Sequence, residues 1–375
     1  MKFLHEYRQR PGIERIAREI VRITTRHWTI MEVCGGQTHA IVKYGLQQFL
    51  PSQIRLVHGP GCPVCVTPLD IIDQAIAIAA RPDVIFCTFG DMLRVPGSEG
   101  DLLGVRARGG DVRMVYSPLH ALDIARRNPN RKVVFFAVGF ETTAPANAMA
   151  AFLAHEQGLN NFFLLVSQFL VPPAIAAISS AADTRIDGYL AAGHVCAVTG
   201  FESYQQLADT FRVPIVVTGF EPLDILQGIL MCVRQLERDK YQVQNQYARA
   251  VEPAGNPHAQ HMLQQVFEVS SQTWRGVGNI PASGLRLRAA YSVLNAAPLF
   301  DEKRSCPDDT RGCISGEIML GKRTPPDCPH FGESCQPQHP LGAPMVSSEG
   351  ACAAYYRYRA QVITSDATDR ATHEH

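Results

Sequence analysis

Three groups of cysteines carry the chemistry that this sequence can do. The first is one thiol in the run Met31-Glu32-Val33-Cys34-Gly35-Gly36-Gln37-Thr38-His39-Ala40. An apolar run leads into Cys34 and two glycines follow. That places the thiol at the carboxyl end of a strand, where α/β sheets keep their sites. A helix starting near Thr38 would set its positive end beside the sulfur and favour thiolate. The alternative is an inert buried cysteine, a common fate of this residue type.

The second group is Gly59-Pro60-Gly61-Cys62-Pro63-Val64-Cys65. Thiols at this spacing close a disulfide, cycle by thiol–disulfide exchange or share a metal. As half of a structural zinc site the pair needs two more ligands, which Cys34 and His39 could supply. The third group is Cys306, Cys313, Cys328, Cys335 and Cys352, in a stretch rich in Pro and Gly. Such a stretch buries too little apolar surface to order itself and needs a staple. Four thiolates around an iron–sulfur cluster or around zinc would provide one. The wide spacing, without tight CxxC knuckles, leans towards the cluster.

Other polar residues follow strand-like runs. Glu141 and Thr142 follow Gly139, Asp91 and Arg94 follow Gly90, and His194 follows Gly193. Helix capping is the ordinary role for Asp91 and Thr142, and a glutamate at a helix start complements the helix dipole. His194 reads equally as a satisfied histidine or a ligand. Cys87, Cys196 and Cys232 lie within strand or helix patterns and read as core.

Positioning these groups requires a sheet framework, and the sequence carries one. Short β-branched or aromatic runs, most of them ending in Gly, occur at Ile30–Gly35, Leu56–Gly61, Val84–Gly90, Val112–Tyr116, Val133–Gly139, Phe162–Gln168, Gly188–Gly193 and Ile215–Gly219. Helical spacing of apolar residues separates many of them, at Pro68–Ala80, Thr143–His155, Pro172–Ala182 and Pro222–Glu237. The alternation predicts parallel sheets covered on both faces. FAVGFET at 136–142 and VTGFEPL at 217–223 resemble each other, which suggests two related α/β domains, 30–120 and 121–237.

The 375 residues are 46% hydrophobic and 19% charged, with zero formal net charge. A large core is affordable, and a phosphate-neutralising basic face is not expected, so no nucleic-acid partner is. Residues 1–26 are charged throughout and lack the apolar stretch of a signal peptide, and no apolar run approaches the ~20 residues of a membrane span. The expectation is a cytoplasmic protein without a membrane partner, in which clustered cysteines serve metals or redox chemistry rather than structural disulfides. No GxxxxGK[ST], GxGxxG or GxSxG pattern is present.

Taken together, MEVCGGQTHAI, HGPGCPVCVTP, VIFCTFGDMLRVPGS, VVFFAVGFETTAP, GHVCAVTG, GFEPLDILQG and CPHFGESCQPQHPLGAPMVSSEGAC resemble, in order, the signature blocks of the HypD family of hydrogenase maturation factors. The resemblance covers nearly the whole chain. It implies two similar parallel-sheet α/β domains plus a Cys-rich, mostly irregular or helical third domain, here 1–29 with 238–375, carrying a [4Fe–4S] cluster. Cys313, Cys328, Cys335 and Cys352 would hold the cluster, with Cys306 a spare candidate.

It also implies a transient iron that acquires cyanide and carbon monoxide at Cys34, a redox dithiol at Cys62 and Cys65, and site roles for His39 and Glu141. The implied partners are a HypC-type small chaperone, HypE with HypF as cyanide donor, and indirectly the hydrogenase large subunit. An iron–sulfur thiol–disulfide reductase acting on a partner protein is the alternative. Two positions depart from the family pattern: Gln37 stands where a histidine is common, and Ser315 stands where a second cysteine often follows the first.

Overall fold

The computed structural model describes residues 6–300 and 312–358. All eight expected runs form strands: β1 (Trp28–Glu32), β2 (Ile54–His58), β3 (Val84–Thr88), β4 (Val112–Met114), β5 (Lys132–Gly139), β6 (Phe162–Phe169), β7 (Gly188–Ala192) and β8 (Ile215–Thr218). Three more follow: β9 (Val243–Asn245), β10 (Phe267–Trp274) and β11 (Gly278–Leu287). The four expected helices form within a residue or three of their limits, at Leu69–Ala79, Ala144–Glu156, Val171–Ser179 and Pro222–Leu236.

The strands build two sheets. Sheet A has the order β2-β1-β7-β8-β9 and is parallel throughout. Sheet B has the order β10-β11-β6-β5-β3-β4, its last four strands parallel and its first two an antiparallel hairpin added to the β6 edge. The chain is thus α/β with parallel-dominated sheets.

The sheets do not follow the expected blocks. Residues 30–120 supply β1 and β2 to sheet A but β3 and β4 to sheet B, and residues 121–237 are split likewise. The chain leaves sheet A after β2, builds the parallel part of sheet B, and returns through the helix Val171–Ser179. Segments 6–29 and 238–300 likewise serve the sheets: the helix Arg10–Ile23 packs against the helix Pro222–Leu236, β9 edges sheet A, and β10–β11 extend sheet B. Of the described residues, only 312–358 surround the third cysteine group.

Packing explains each placement. The helix Pro222–Leu236 turns Ile225, Leu226, Ile229 and Val233 onto Ile30, Leu56, Leu190 and Val216 of sheet A. Proline in its first turn and a reciprocal Glu221–Asp224 capping box start it. Truncating the fully buried Ile229 to alanine would cost about 2–5 kcal/mol. The helices Val171–Ser179, Gly193–Thr199 and Tyr204–Phe211 cover the opposite face of sheet A. Sheet B is covered by Leu69–Ala79 and Leu102–Ala107 on one face, and by Pro118–Arg127 and Ala144–Glu156 on the other.

Candidate functional site

Sheet A reverses its strand order between β1 and β7: from β1 the chain moves outward to β2, and from β7 it moves the other way to β8 and β9. Such a switch point opens a crevice at the carboxyl ends of the strands. Cys34 lies two residues past β1 and His194 two residues past β7, so both fall in it. The Cys34 sulfur is 3.8 Å from Nδ1 and 4.0 Å from Nε2 of His194. Phe220, beyond the end of β8, packs tilted against the His194 ring with centroids 5.0 Å apart and lies over Gly36.

Cys34 is the N-cap of the helix Gly35–Lys43, which begins three residues before the expected Thr38. The sequence argument that this helix end favours thiolate meets a stronger opposing effect. Burial drives the thiol pKa far up, and the N–H groups of Gln37 and Gly36 only partly offset it. Burial also lowers the His194 pKa to about 4, so its imidazole is neutral at pH 7.

A buried chain of side chains fixes the Cys34 loop. Glu32 Oε2 accepts the Cys34 backbone N–H at 2.8 Å. Its Oε1 meets Nδ1 of His58 at 2.7 Å and accepts the Thr38 hydroxyl. His58 Nε2 is 3.0 Å from the Tyr355 hydroxyl. Tyr355 lies on the helix Ala351–Arg357, which also carries Cys352, so this chain ties the first cysteine group to the third. Glu32, His58 and Tyr355 are 1%, 3% and 4% exposed, and sequence reasoning missed all three. For Glu32 the signal was a charged residue directly after the apolar pair Ile30-Met31 at the end of β1.

Cys62 and Cys65 form a disulfide whose Cα atoms are 5.2 Å apart. Cys62 caps the short helix Pro63–Val66, and the Cys65 N–H donates to its sulfur at 3.3 Å. The disulfide shares one apolar core with Cys34. Gly61 is wedged against Cys34: a Cβ there would lie 2.3 Å from the Cys34 nitrogen, so only glycine allows the two loops to touch.

His39 does not join this group. Its Nδ1 lies 3.2 Å from the Ser348 carbonyl oxygen and its Nε2 3.3 Å from the Tyr358 hydroxyl, so it ties the C-terminal segment to the helix Gly35–Lys43. The zinc arrangement of Cys34, His39, Cys62 and Cys65 is therefore not formed. Gln37, in place of the family's common histidine, donates to Thr218 Oγ1 at 2.5 Å and to the Ala191 carbonyl at 3.2 Å.

Cys313, Cys328, Cys335 and Cys352 line one small cavity, together with Ile314, Ile318, Phe331, Pro344 and Met345. Burial raises the Cys335 and Cys352 thiols, and the neighbouring sulfurs raise both further. The Leu341 N–H donates to the Cys335 sulfur at 3.4 Å. Gly342 hugs Cys313, its missing Cβ lying 2.4 Å from the sulfur. A cradle of four soft donors with apolar walls fits a thiolate-ligated iron–sulfur cluster. Cys306 lies outside the described residues. Ser315, where the resemblance implied a second cysteine, is buried on the same wall.

The cavity adjoins the other two groups. Its wall at Ala343–Met345 packs on the helix Pro63–Val66, and Met319 enters the core around the disulfide. Asp91 and Arg94 anchor the same segment: the Ser347 hydroxyl donates to Asp91 at 2.8 Å, and Arg94 donates to the Val346 carbonyl at 3.1 Å.

Glu141 is 2% exposed and lies deeper. Its Oε1 accepts the Val171 N–H at 2.8 Å, while Oε2 has no hydrogen-bond partner among the described residues. Burial raises its pKa to about 7. Cys196 and Tyr204 are its charge-sensing neighbours. Cys87, Cys196 and Cys232 are core, as expected. No helix among the described residues is long and apolar enough to cross a membrane.

The sequence model of the family described as "HypD: Hydrogenase formation hypA family" matches residues 11–359. The chain is 46% identical over 368 residues to the hydrogenase maturation factor HypD of Rhizobium leguminosarum bv. viciae, covering 96% of each. It is also 46% identical over 371 residues to that of Escherichia coli K12, covering 96% of this chain and 99% of the relative.

Proposed function

Because the chain belongs to the HypD hydrogenase formation family and so acts in hydrogenase maturation, we propose that it is the scaffold on which an iron cargo acquires its cyanide and carbonyl ligands. The observation that carries this reading is the convergence of three thiol groups: the Cys34 crevice, the Cys62–Cys65 disulfide in the same core, and the four-cysteine cavity whose wall packs on the disulfide helix.

Cys34 offers the cargo a soft donor suited to low-spin iron carrying strong-field diatomic ligands. One thiol leaves most of the coordination sphere to others, which calls for a partner protein. The implied partner is a HypC-type chaperone, with HypE and HypF delivering cyanide, and the Fe(CN)2CO unit then passes to the hydrogenase large subunit. Cys313, Cys328, Cys335 and Cys352 would hold a [4Fe–4S] cluster, which when bound supplies electrons one at a time. Ile318, Phe331 and Met345 line the cavity beside those cysteines, of which Cys335 and Cys352 are buried. Opening the Cys62–Cys65 disulfide consumes two electrons and two protons and gives two thiols. The Cys65 N–H is placed to stabilise a Cys62 thiolate as it forms.

The oxidised state of Cys62 and Cys65 also favours a second reading, a thiol–disulfide reductase acting on a partner. One anaerobic preparation separates the two. The scaffold reading expects about four irons and four sulfides per chain, and cyanide and carbonyl infrared bands only when the small chaperone is co-expressed. Turnover of generic disulfides without such bands would favour the reductase. Colourless protein holding zinc would overturn both.

A further inference from the structure

The structure brings to Cys34 a histidine other than the one in its own motif. His39 has both ring nitrogens engaged, by Ser348 and Tyr358. His194 has only Cys34 as a hydrogen-bonding neighbour among the described residues, and the sulfur stands nearly level with its two nitrogens. Rotation about χ2, a soft torsion in histidine, turns either nitrogen towards a common point.

We propose that His194 is the chain's second donor to the metal ion that Cys34 holds. The inference rests on the reading of Cys34 as a cargo ligand and names the other half of that site. Three observations carry it. The first is topological: the two residues are delivered by β1 and β7, adjacent parallel strands in register from Ile30 opposite Gly188 to Glu32 opposite Leu190, on either side of the switch point.

The second is metric. With metal–thiolate and metal–imidazole bonds of about 2.3 and 2.0–2.1 Å, the 3.8 Å separation closes on one ion at an S–metal–N angle of about 120°. That angle is open enough for a tetrahedral or trigonal site without moving the backbone. The third is support: Glu32 holds the Cys34 backbone, and Phe220 packs tilted against the His194 ring, so each donor has a neighbour that limits its movement before an ion arrives. Thiolate and imidazole together select late, borderline-soft ions, and two donors from this chain leave the remaining positions open for exchange. A site that must release its cargo requires such openness.

The test uses the full chain, purified without oxygen, and Co(II) as the probe. The Cys34-dependent part of Co(II) binding, followed by sulfur-to-cobalt charge-transfer absorption, is the difference between wild type and Cys34→Ser. His194→Ala is expected to weaken that part at least about tenfold, and His39→Ala to leave it unchanged. His194→Gly is expected to regain binding when free imidazole is added, which a purely structural role would not produce. Undiminished Cys34-dependent binding in His194→Ala, or loss in His194→Gly that imidazole does not restore, overturns the proposal and leaves the scaffold reading standing. No Cys34-dependent binding in the wild type overturns both.

Discussion

Glu141 makes a pH prediction whose size follows from the structure. Burial raises its pKa from 4.5 to about 7, against the partial offset of backbone N–H groups of Val171 and Glu141 itself. The folded chain therefore holds the Glu141 proton where the unfolded chain has released it. Between pH 4.5 and 7 the folded state binds more protons, so its stability falls as pH rises, then levels off above about 7. At about 1.4 kcal/mol per pH unit, the raise amounts to a loss of about 3 kcal/mol. Glu141→Gln removes the proton equilibrium and keeps a carbonyl oxygen for the Val171 N–H.

His194 works in the opposite direction: its lowered pKa makes stability fall as pH drops through 6.5 towards 4. The two slopes offset each other in the wild type, so its own pH profile is uninformative. Both chains carry His194, however, and it cancels in their difference. Urea unfolding of the two chains at pH 4 and pH 8 is the assay. Glu141→Gln is expected to gain about 3 kcal/mol on the wild type between those values. A difference that stays flat across this range would mean that Glu141 is ionised in the fold, and the burial argument would be wrong.

Three further outcomes are expected. Gly61→Ala would force a Cβ to within 2.3 Å of the Cys34 nitrogen; it should cost about 1–3 kcal/mol by thermal unfolding and reduce Cys34-dependent metal binding, whereas a silent substitution would deny that the two loops position each other. Tyr355→Phe removes the hydroxyl 3.0 Å from His58 and should cost about 1–3 kcal/mol by denaturant titration; no loss would mean that water replaces the hydroxyl freely. After anaerobic reconstitution, Cys352→Ser should lose most of its iron and Cys87→Ser should keep it, because only Cys352 faces the four-thiol cavity. Equal iron in both would exclude that cavity as the cluster site.

The strands were legible because fully buried parallel strands read as continuous apolar runs. Thus β5 is buried from Val133 to Gly139 and β3 throughout. The hairpin β10–β11 was missed because one face meets solvent. Phe267 and Trp274 mark its buried ends, but Glu268, Ser270, Gln272 and Thr273 make the span look like a loop. No apolar–polar alternation marks it either, since Val269 is exposed while Glu268, Ser270 and Gln272 are half-buried. The cysteine groups were legible from residue type and spacing alone.

The partners of Cys34 were not legible, for a topological reason. Nothing local states that β1 pairs with β7 across more than 150 residues, or that β3–β6 belong to another sheet. That insertion decides which histidine reaches the sulfur. His39 is near Cys34 in sequence, but it stands more than a turn along the helix that Cys34 caps, and a helix carries it away to meet Ser348. His194 is 160 residues away, and sheet pairing returns it to the same crevice. The same insertion places the Cys62–Cys65 turn on the first crossover, where the chain leaves sheet A for sheet B. A segment at that junction is free to touch both the Cys34 loop and the wall of the four-cysteine cavity. The Cys34 and Cys62–Cys65 loops meet because β1 and β2 pair in parallel up to Glu32 opposite His58, and the return of the chain from the second sheet to β7 adds His194 to that crevice.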